Sequence, residues 1–280
     1  VIDLHLHTTA SDGRSTPEEL VRTAAAAGLT TLAVTDHDTT AGVVAARSAA
    51  VEIDVEVVTG IEITAVLDGR DVHILGYFFD DAWPELVTFL AAQREDRRRR
   101  VDAMVERLRA LGAEVDQPEI DQQAADSHKA IGRPAVARAL VAAGHAKDVA
   151  DAFDRFLAEG RRAFVPRHGA SPADVIALLA RAGGVASFAH PGKMNLDHTL
   201  PDLATAGLVG LEVFHPDHDP EAVDRYTRMA KTLNLIPTGG SDYHGPKSGR
   251  ADCLGVVGLD DAAYAEFVTR AQRARRAGTV

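Results

Sequence analysis

The 280-residue chain is 46% hydrophobic and 25% charged, a balance that permits one large α/β core, with or without an insertion; no apolar run reaches the roughly 18 to 20 residues that cross a bilayer. Its formal net charge of −11 argues against broad binding to duplex DNA, which takes many Lys and Arg contacts to phosphate. The single cysteine, Cys253, excludes an internal disulfide and thiolate metal clusters, and fits a reducing cytoplasm.

The first predicted element is a strand, VIDLHLH, with no basic or apolar leader ahead of it, so no secretory signal is expected. Alternation sends Ile2, Leu4 and Leu6 to one face and Asp3, His5 and His7 to the other. Taken alone this reads as a half-buried strand with a polar solvent face; with other ligands nearby, the same face can hold a cation. A loop containing Asp12 leads into STPEELVRTAAAAG, a helix with Ser15 or Thr16 as N-cap, Pro17 in the first turn, Glu18 and Glu19 at its positive end and Gly28 as its stop. The apolar runs TLAVTDHD, VEVVTGIEI and DVHILGYF follow. After a long helical stretch come GGVASFAHP, GLVGLEVFH and LNLIPTGGSDYH, with the capped helix SPADVIALLARAGG before the first of them. Strands separated in turn by capped helices predict βα units and a mainly parallel sheet.

The middle of the chain, residues 83–160, lacks strand signals. Val101, Met104, Val105, Leu108 and Leu111 form an apolar stripe at helical spacing. QREDRRRRV reads as a solvated helix face, and IGRPAVARALVAAG and VADAFDRFLAEG as two further helices. The predicted organisation is a barrel from residues 1–82 and 161–280 with a helical insertion over 83–160, a candidate lid.

Nearly every predicted strand carries His, Asp or Glu at its C-terminal end: His5 and His7, Asp36 and His37, Glu62, His190, His215, then Asp242 and His244. His73 is the exception, near the start of its run. In a parallel barrel these ends open on one face, so residues distant in sequence converge. A lone histidine is more often a structural residue, but the joint pattern predicts metal binding. Imidazole with carboxylate suits Zn²⁺, Mn²⁺ or Fe²⁺, and the carboxylates favour the harder metals.

The segments DLHLHTTASDG, AVTDHDT, GIEI, HILGYF, AHPGK and GGSDYHG resemble the successive signatures of the polymerase and histidinol phosphatase (PHP) superfamily, from Val1 to about Gly245. IGRP, LEVFHPDH and the helical insertion most resemble the bacterial subgroup that dephosphorylates 3',5'-nucleoside bisphosphates and trims short RNA or DNA oligonucleotides from the 5' end. The resemblance implies a distorted seven-stranded (βα)7 barrel of the TIM type holding two or three divalent ions, Mn²⁺ first, with Zn²⁺ or Fe²⁺ as alternatives. It puts His5, His7, Glu62 and Asp242 on one ion, Glu62, His73 and His190 on a second, and Asp12, His37 and His244 on a third. Many relatives carry His where this chain has Asp12.

Clustered divalent ions clamp the oxygens of a phosphoryl group during in-line displacement, so phosphate ester hydrolysis is the expected chemistry, with Asp242 in the catalytic set. Arg133, within IGRP, is the leading candidate for a second substrate phosphate, because guanidinium binds phosphate in a bidentate way; Lys129 and Lys193 are weaker candidates. Arg97 and Arg100 would reach the substrate only if their helix is a lid. His215 reads either as a proton donor to the leaving oxygen or as a hydrogen-bond partner of a ligand. Asp3 and Asp36 read as structural residues or as carboxylates that orient ligand imidazoles, rather than as ligands. His128, His145, His168, His198 and His218 read as solvent, cap or minor residues. The expected partner is a small phosphorylated molecule or short oligonucleotide, without duplex DNA or a membrane. Histidinol phosphatase is the rival enzyme. A silent module that binds nucleotides or a polymerase is the rival of another class, disfavoured because every motif position is filled.

Overall fold

A computed structural model describes residues 1–115, 120, 126, 128–246 and 248–277. Seven strands form one sheet in chain order: β1 Ile2–Leu6, β2 Thr31–Val34, β3 Glu56–Leu67, β4 Arg70–Tyr77, β5 Val185–Phe188, β6 Gly210–Phe214 and β7 Ile236–Gly239. Past β7 the chain returns to β1 through a parallel bridge between Leu6 and Tyr243, and His7 N donates to Tyr243 O at 3.0 Å. The sheet is therefore a nearly closed barrel. Closure depends on Gly240, where a Cβ would lie 2.4 Å from the His5 Cβ.

β1 pairs parallel with β2, β2 with β3, β5 with β6 and β6 with β7, but β4 runs antiparallel to both β3 and β5. The apolar runs at β3 and β4 are thus joined by a hairpin, not by the helix that a strict βα alternation predicts. Asp68 and Gly69 turn the chain, with φ of 51° and 77°, the left-handed pair that a two-residue hairpin turn takes.

Flanking helices cover the barrel, and their ends follow the sequence. In Pro17–Ala26, Thr16 is the N-cap: its hydroxyl accepts from Glu19 N at 3.2 Å, while Thr16 N donates to the Glu19 carboxylate at 2.8 Å. Such a cap contributes about 1 kcal/mol. Pro172–Arg181 repeats the arrangement with Ser171 and Asp174. The Asp261–Ala277 helix closes the far end of the barrel, where Phe267 packs with Leu4, Val58, Leu75, Tyr77 and Ile236. No helix among the described residues is long and apolar enough to cross a membrane.

The Pro84–Ala110 helix belongs to two cores. Leu86 and Leu90 pack on the barrel with Ile63, Ile74 and Leu179. Val101, Met104, Val105 and Leu108 join Val136, Leu140 and Leu157 in a separate cluster built by the Arg133–Ala142 helix and the turns after it. Between these apolar ends lies Gln93 to Arg100. Arg97 and Arg100 are almost buried there, so the expectation of a solvated face fails for them. The stripe from Val101 onward turns this side of the helix inward, and the basic residues preceding it are carried in along with it.

Every residue of β1 is buried, as is His7, so Asp3, His5 and His7 do not face solvent. Burying each of Ile2, Leu4 and Leu6 contributes roughly 1.5–3 kcal/mol, which holds the strand in place while its polar side chains line the barrel mouth.

Candidate metal centre and substrate cavity

All seven strands deliver side chains to one mouth of the barrel. His5 and His7 come from β1, His37 from just past β2, Glu62 from β3 and His73 from β4; the segments after β5, β6 and β7 bring His190, His215, Asp242 and His244. β4 is antiparallel, so its first half lies at this mouth. That explains why His73 sits near the start of its run: it pairs with Thr64, and its carbonyl accepts from Ala189 N at 3.1 Å.

His5 Nε2 lies 3.3 Å from Glu62 Oε2 and 3.5 Å from Asp242 Oδ1, and His7 Nε2 is 3.2 and 3.3 Å from the same two oxygens. The other Glu62 oxygen faces His73 Nδ1 at 2.7 Å and His190 Nε2 at 3.2 Å. One buried carboxylate therefore stands between two groups of donors. Asp12 is 3.3 Å from His244 Nε2 and 3.8 Å from His37 Nε2, while His37 Nδ1 turns to within 3.1 Å of Glu62. His37 thus touches both the Glu62 and the Asp12 groups.

These residues fit divalent ions. In each of three sets (His5, His7 and Asp242; His37, Glu62 and His73; His7, Asp12, His37 and His244) the ligand atoms lie within 4.8 Å of one another. The nitrogens that point at the carboxylates, His5 Nε2, His7 Nε2, His37 Nδ1 and His73 Nδ1, are buried without a hydrogen-bond partner. Leaving such an atom unsatisfied costs about 1–3 kcal/mol, and a cation supplies the missing partner. His190 and Asp242 also hold backbone φ of 29° and 50°, a strained conformation that persists where the surroundings fix it.

The electrostatics agree. Burial would raise the Glu62 carboxyl, but His73, His37 and His5 hold it well below its usual range; Asp242 is held low against burial by His5 and His244. Burial takes His37 down to about 3 and His190 to about 4, so both are neutral. Burial opposes a charge on His7 too, yet the Asp242 and Glu62 carboxylates beside it raise it to about 10. Ionised carboxylates and neutral imidazoles are the ligating forms, and the proton that the carboxylates draw to His7 is what a metal ion displaces.

Three carboxylates support the mouth from behind. Glu212 Oε1 meets His5 Nδ1 at 2.8 Å, and its Oε2 accepts from His190 N at 2.6 Å, so one buried side chain on β6 fixes two residues of the donor cluster. Sequence reasoning missed it, although a lone carboxylate inside the apolar strand GLEVF was the available signal. Asp3 takes the structural role of its two readings: it accepts from the backbone N–H groups of His5 and Ser241, at 3.1 and 3.0 Å, and ties β1 to the loop that carries Asp242. Asp36 likewise binds Thr8 and Ser11, at 2.6–2.8 Å, and pins the Asp12 loop. Backbone N–H groups, and for Asp36 the Thr8 and Ser11 hydroxyls as well, offered each carboxylate donors nearer than a ring.

The second oxygen of Asp242 faces His215 Nε2 at 3.4 Å, Lys193 Nζ at 3.4 Å and Arg250 Nε at 3.2 Å. His215 Nδ1 accepts from Asp217 N at 3.1 Å, which leaves the ring proton on Nε2, directed at Asp242. Arg250, in the glycine-rich loop after β7, had no sequence signal. His218 is buried, bonded to Val213 O and Gly192 N, and supports the loop after His190. His145 bonds Glu114 O at 2.8 Å, away from the mouth.

Next to the His73 end of the cluster lies a cavity of about 250 Å³ whose lining includes Arg70, Asp71, Arg133, Glu159, Phe164 and Lys193. Arg133 Nη2 and Arg100 Nη1 share Asp71 Oδ2 at 3.2 and 3.1 Å, and the Arg133 guanidinium lies 5.9 Å from the Phe153 and Phe164 ring centres. Behind it Arg97 pairs with Asp38 at 2.6 Å and Arg167 with the same carboxylate at 3.4 Å. Arg133 and Lys193 thus share a cavity. Lys129 does not line it; Arg97 and Arg100 stand behind it, their partners internal.

The family model of the PHP domain matches residues 3–160. A phosphoribosyl 1,2-cyclic phosphate 1,2-diphosphodiesterase from Eggerthella lenta is 36% identical over 263 residues, covering 90% of this chain and 97% of that protein. A 5'-3' exoribonuclease from Haemophilus influenzae is 35% identical over 87% of this chain and 90% of its own length. A 3',5'-nucleoside bisphosphate phosphatase from Chromobacterium violaceum is 34% identical over 90% of both chains. A crystal structure of a Bifidobacterium adolescentis protein assigned as a metal-dependent phosphoesterase superposes with a TM-score of 0.88 at 36% identity, covering 96% of each chain.

Proposed function

The chain belongs to the PHP domain family and is a metal-dependent phosphoesterase; from that premise we propose that it removes the 3'-phosphate of 3',5'-nucleoside bisphosphates and also trims short RNA or DNA oligonucleotides from the 5' end. The observation that carries the substrate is the cavity beside the His73 and His190 end of the donor cluster, where Arg70, Arg133 and Lys193 outnumber Asp71 and Glu159. A substrate with a reacting phosphate and a second, fixed phosphate occupies both. The bisphosphate phosphatase and the exoribonuclease among the relatives act on such molecules.

His5, His7, Glu62 and Asp242 would hold one divalent ion, Glu62, His73 and His190 a second, and Asp12, His37 and His244 a third. The donor set of imidazole and carboxylate favours Mn²⁺, with Zn²⁺ and Fe²⁺ also accommodated. Such ions lower the pKa of water and neutralise phosphoryl oxygens. The chain's own residues do the rest. Arg133 offers a phosphate the N–H groups that Asp71 leaves free, and the Phe164 ring gives a base or sugar an apolar wall. Lys193, held at 3.1 Å by Asp217 and at 3.4 Å by Asp242, places a further positive charge between the cavity and the cluster. His215 keeps Asp242 oriented through Nε2–H, the hydrogen-bonding role of the two that its sequence position suggested.

The test is phosphate or product release, in Mn²⁺, from adenosine 3',5'-bisphosphate, adenosine 5'-monophosphate, histidinol phosphate, phosphoribosyl 1,2-cyclic phosphate and a 5'-phosphorylated trinucleotide. Preference for the bisphosphate by tenfold or more is expected. Turnover of histidinol phosphate or the cyclic phosphate alone would overturn the substrate.

A further inference from the structure

A second cavity, of about 230 Å³, opens at the other end of the donor cluster, lined by Thr9, Ser11, Gly13, Lys129, Ala130 and Arg138. One wall is the loop that carries Asp12, which Ser11 and Gly13 flank in sequence. The opposite wall is held to it where Ala130 N donates to Ala10 O at 3.0 Å.

The two cavities differ in charge. In the first, Arg133 is paired with Asp71, and Lys193 with Asp217 and Asp242. Among the described residues, the second has no carboxylate in its lining, and neither Lys129 nor Arg138 has an ion-pair or side-chain hydrogen-bond partner. Arg138 is no ordinary surface cation: burial lowers it from its usual value, with Asp12 the acid that opposes this. A half-buried guanidinium without a partner is an anion site awaiting its anion.

Resting on the function proposed above, we infer that this cavity is a second phosphate site, filled by the phosphodiester that follows the reacting phosphate in an oligonucleotide strand. The order along the mouth is then Arg133 and Lys193, the donor cluster, and Lys129 with Arg138. A bisphosphate fills the first two positions. A strand with three phosphates fills all three: its 5'-phosphate at Arg133, the next on the cluster and the third at Arg138. In both substrates water adds to phosphorus, the P–O3' bond breaks, and the 3'-oxygen leaves as a hydroxyl carrying a proton from that water. The same chemistry thus serves as phosphatase or exonuclease, and the second cavity selects the strand.

The test uses equilibrium binding to the Mn²⁺-loaded protein of two dinucleotide analogues, pNpN and pNpNp, in which a methylene replaces each O3' so that no P–O3' bond can break. They differ by one phosphate. We expect pNpNp to bind about tenfold more tightly, Arg138→Ala and Lys129→Ala each to remove most of that advantage, and Arg138→Lys to keep most of it, which separates a charge role from a packing role. Equal affinity of the two analogues for the native protein, or an advantage untouched by both alanine variants, would overturn the inference. Hydrolysis of adenosine 3',5'-bisphosphate by the same preparation reports separately on the function it rests on.

Discussion

Two buried charge clusters lie side by side in this molecule, built in opposite senses. At the barrel mouth, imidazoles and carboxylates from seven strands face one another, and the nitrogens of His5, His7, His37 and His73 that point at the carboxylates lack a hydrogen-bond partner. Beside it, Arg97, Arg100, Arg133 and Arg167 surround Asp38 and Asp71. The first seeks cations and the second has cations in excess of its acids. They meet through the backbone, since Asp38 follows His37 directly and Asp71 precedes His73 by two residues. A fold that places a metal-seeking cluster against an anion-seeking one has set out the two halves of a phosphate ester site.

The contrast fails most visibly if the first cluster is dispensable. Asp242→Asn or His190→Ala is expected to lower phosphate release by roughly a thousandfold, as loss of a group that stabilises transition-state charge does, with thermal unfolding shifted by only a few degrees. Asp38→Ala should behave in the reverse way. It strands Arg97 as a buried unpaired charge and leaves Arg167 only the Asp96 carboxylate at 3.8 Å, and urea unfolding should show a loss of about 3–5 kcal/mol. A stable Asp38→Ala protein would mean that the arginine cluster is not held by its acids.

Smaller changes sharpen the comparison. Glu212→Gln keeps the shape but weakens the hold on His5, and Mn²⁺ titration by calorimetry should show affinity down about 10- to 100-fold. Arg133→Ala is expected to cost about 2 kcal/mol of substrate binding, read as a rise of about 30-fold in KM for the bisphosphate with kcat little changed. An equal rise for adenosine 3'-monophosphate would show that Arg133 does not recognise the second phosphate.

The two clusters also differ in how far the sequence revealed them. His5, His7, Glu62, His190 and Asp242 were legible because strand ends have a fixed place in a barrel and polar residues stand out at the end of apolar runs. His73 looked out of place only because the Asp68–Gly69 turn, a hairpin signal between two apolar runs, was read through as part of a βα alternation. The arginine cluster was misread because charge on a helix is ordinarily solvated, and burial there depends on which neighbours pack against that helix. The core of Val101, Met104 and Leu108 with the Arg133–Ala142 helix decides it, and no local pattern around Arg97 carries that information. Glu212 was hidden for a related reason. A single carboxylate in a strand becomes meaningful only when β6 is known to lie behind His5 and His190.

Whether the mouth works by holding divalent ions against an ester phosphate is decided by phosphate release from adenosine 3',5'-bisphosphate after chelation, followed by stepwise return of Mn²⁺ with bound metal counted in parallel. The stripped protein should show no turnover, and full turnover should return on binding two to three ions per chain. Unchanged turnover after complete metal removal, or two to three bound ions with no turnover of this or any of the parallel substrates, would contradict it.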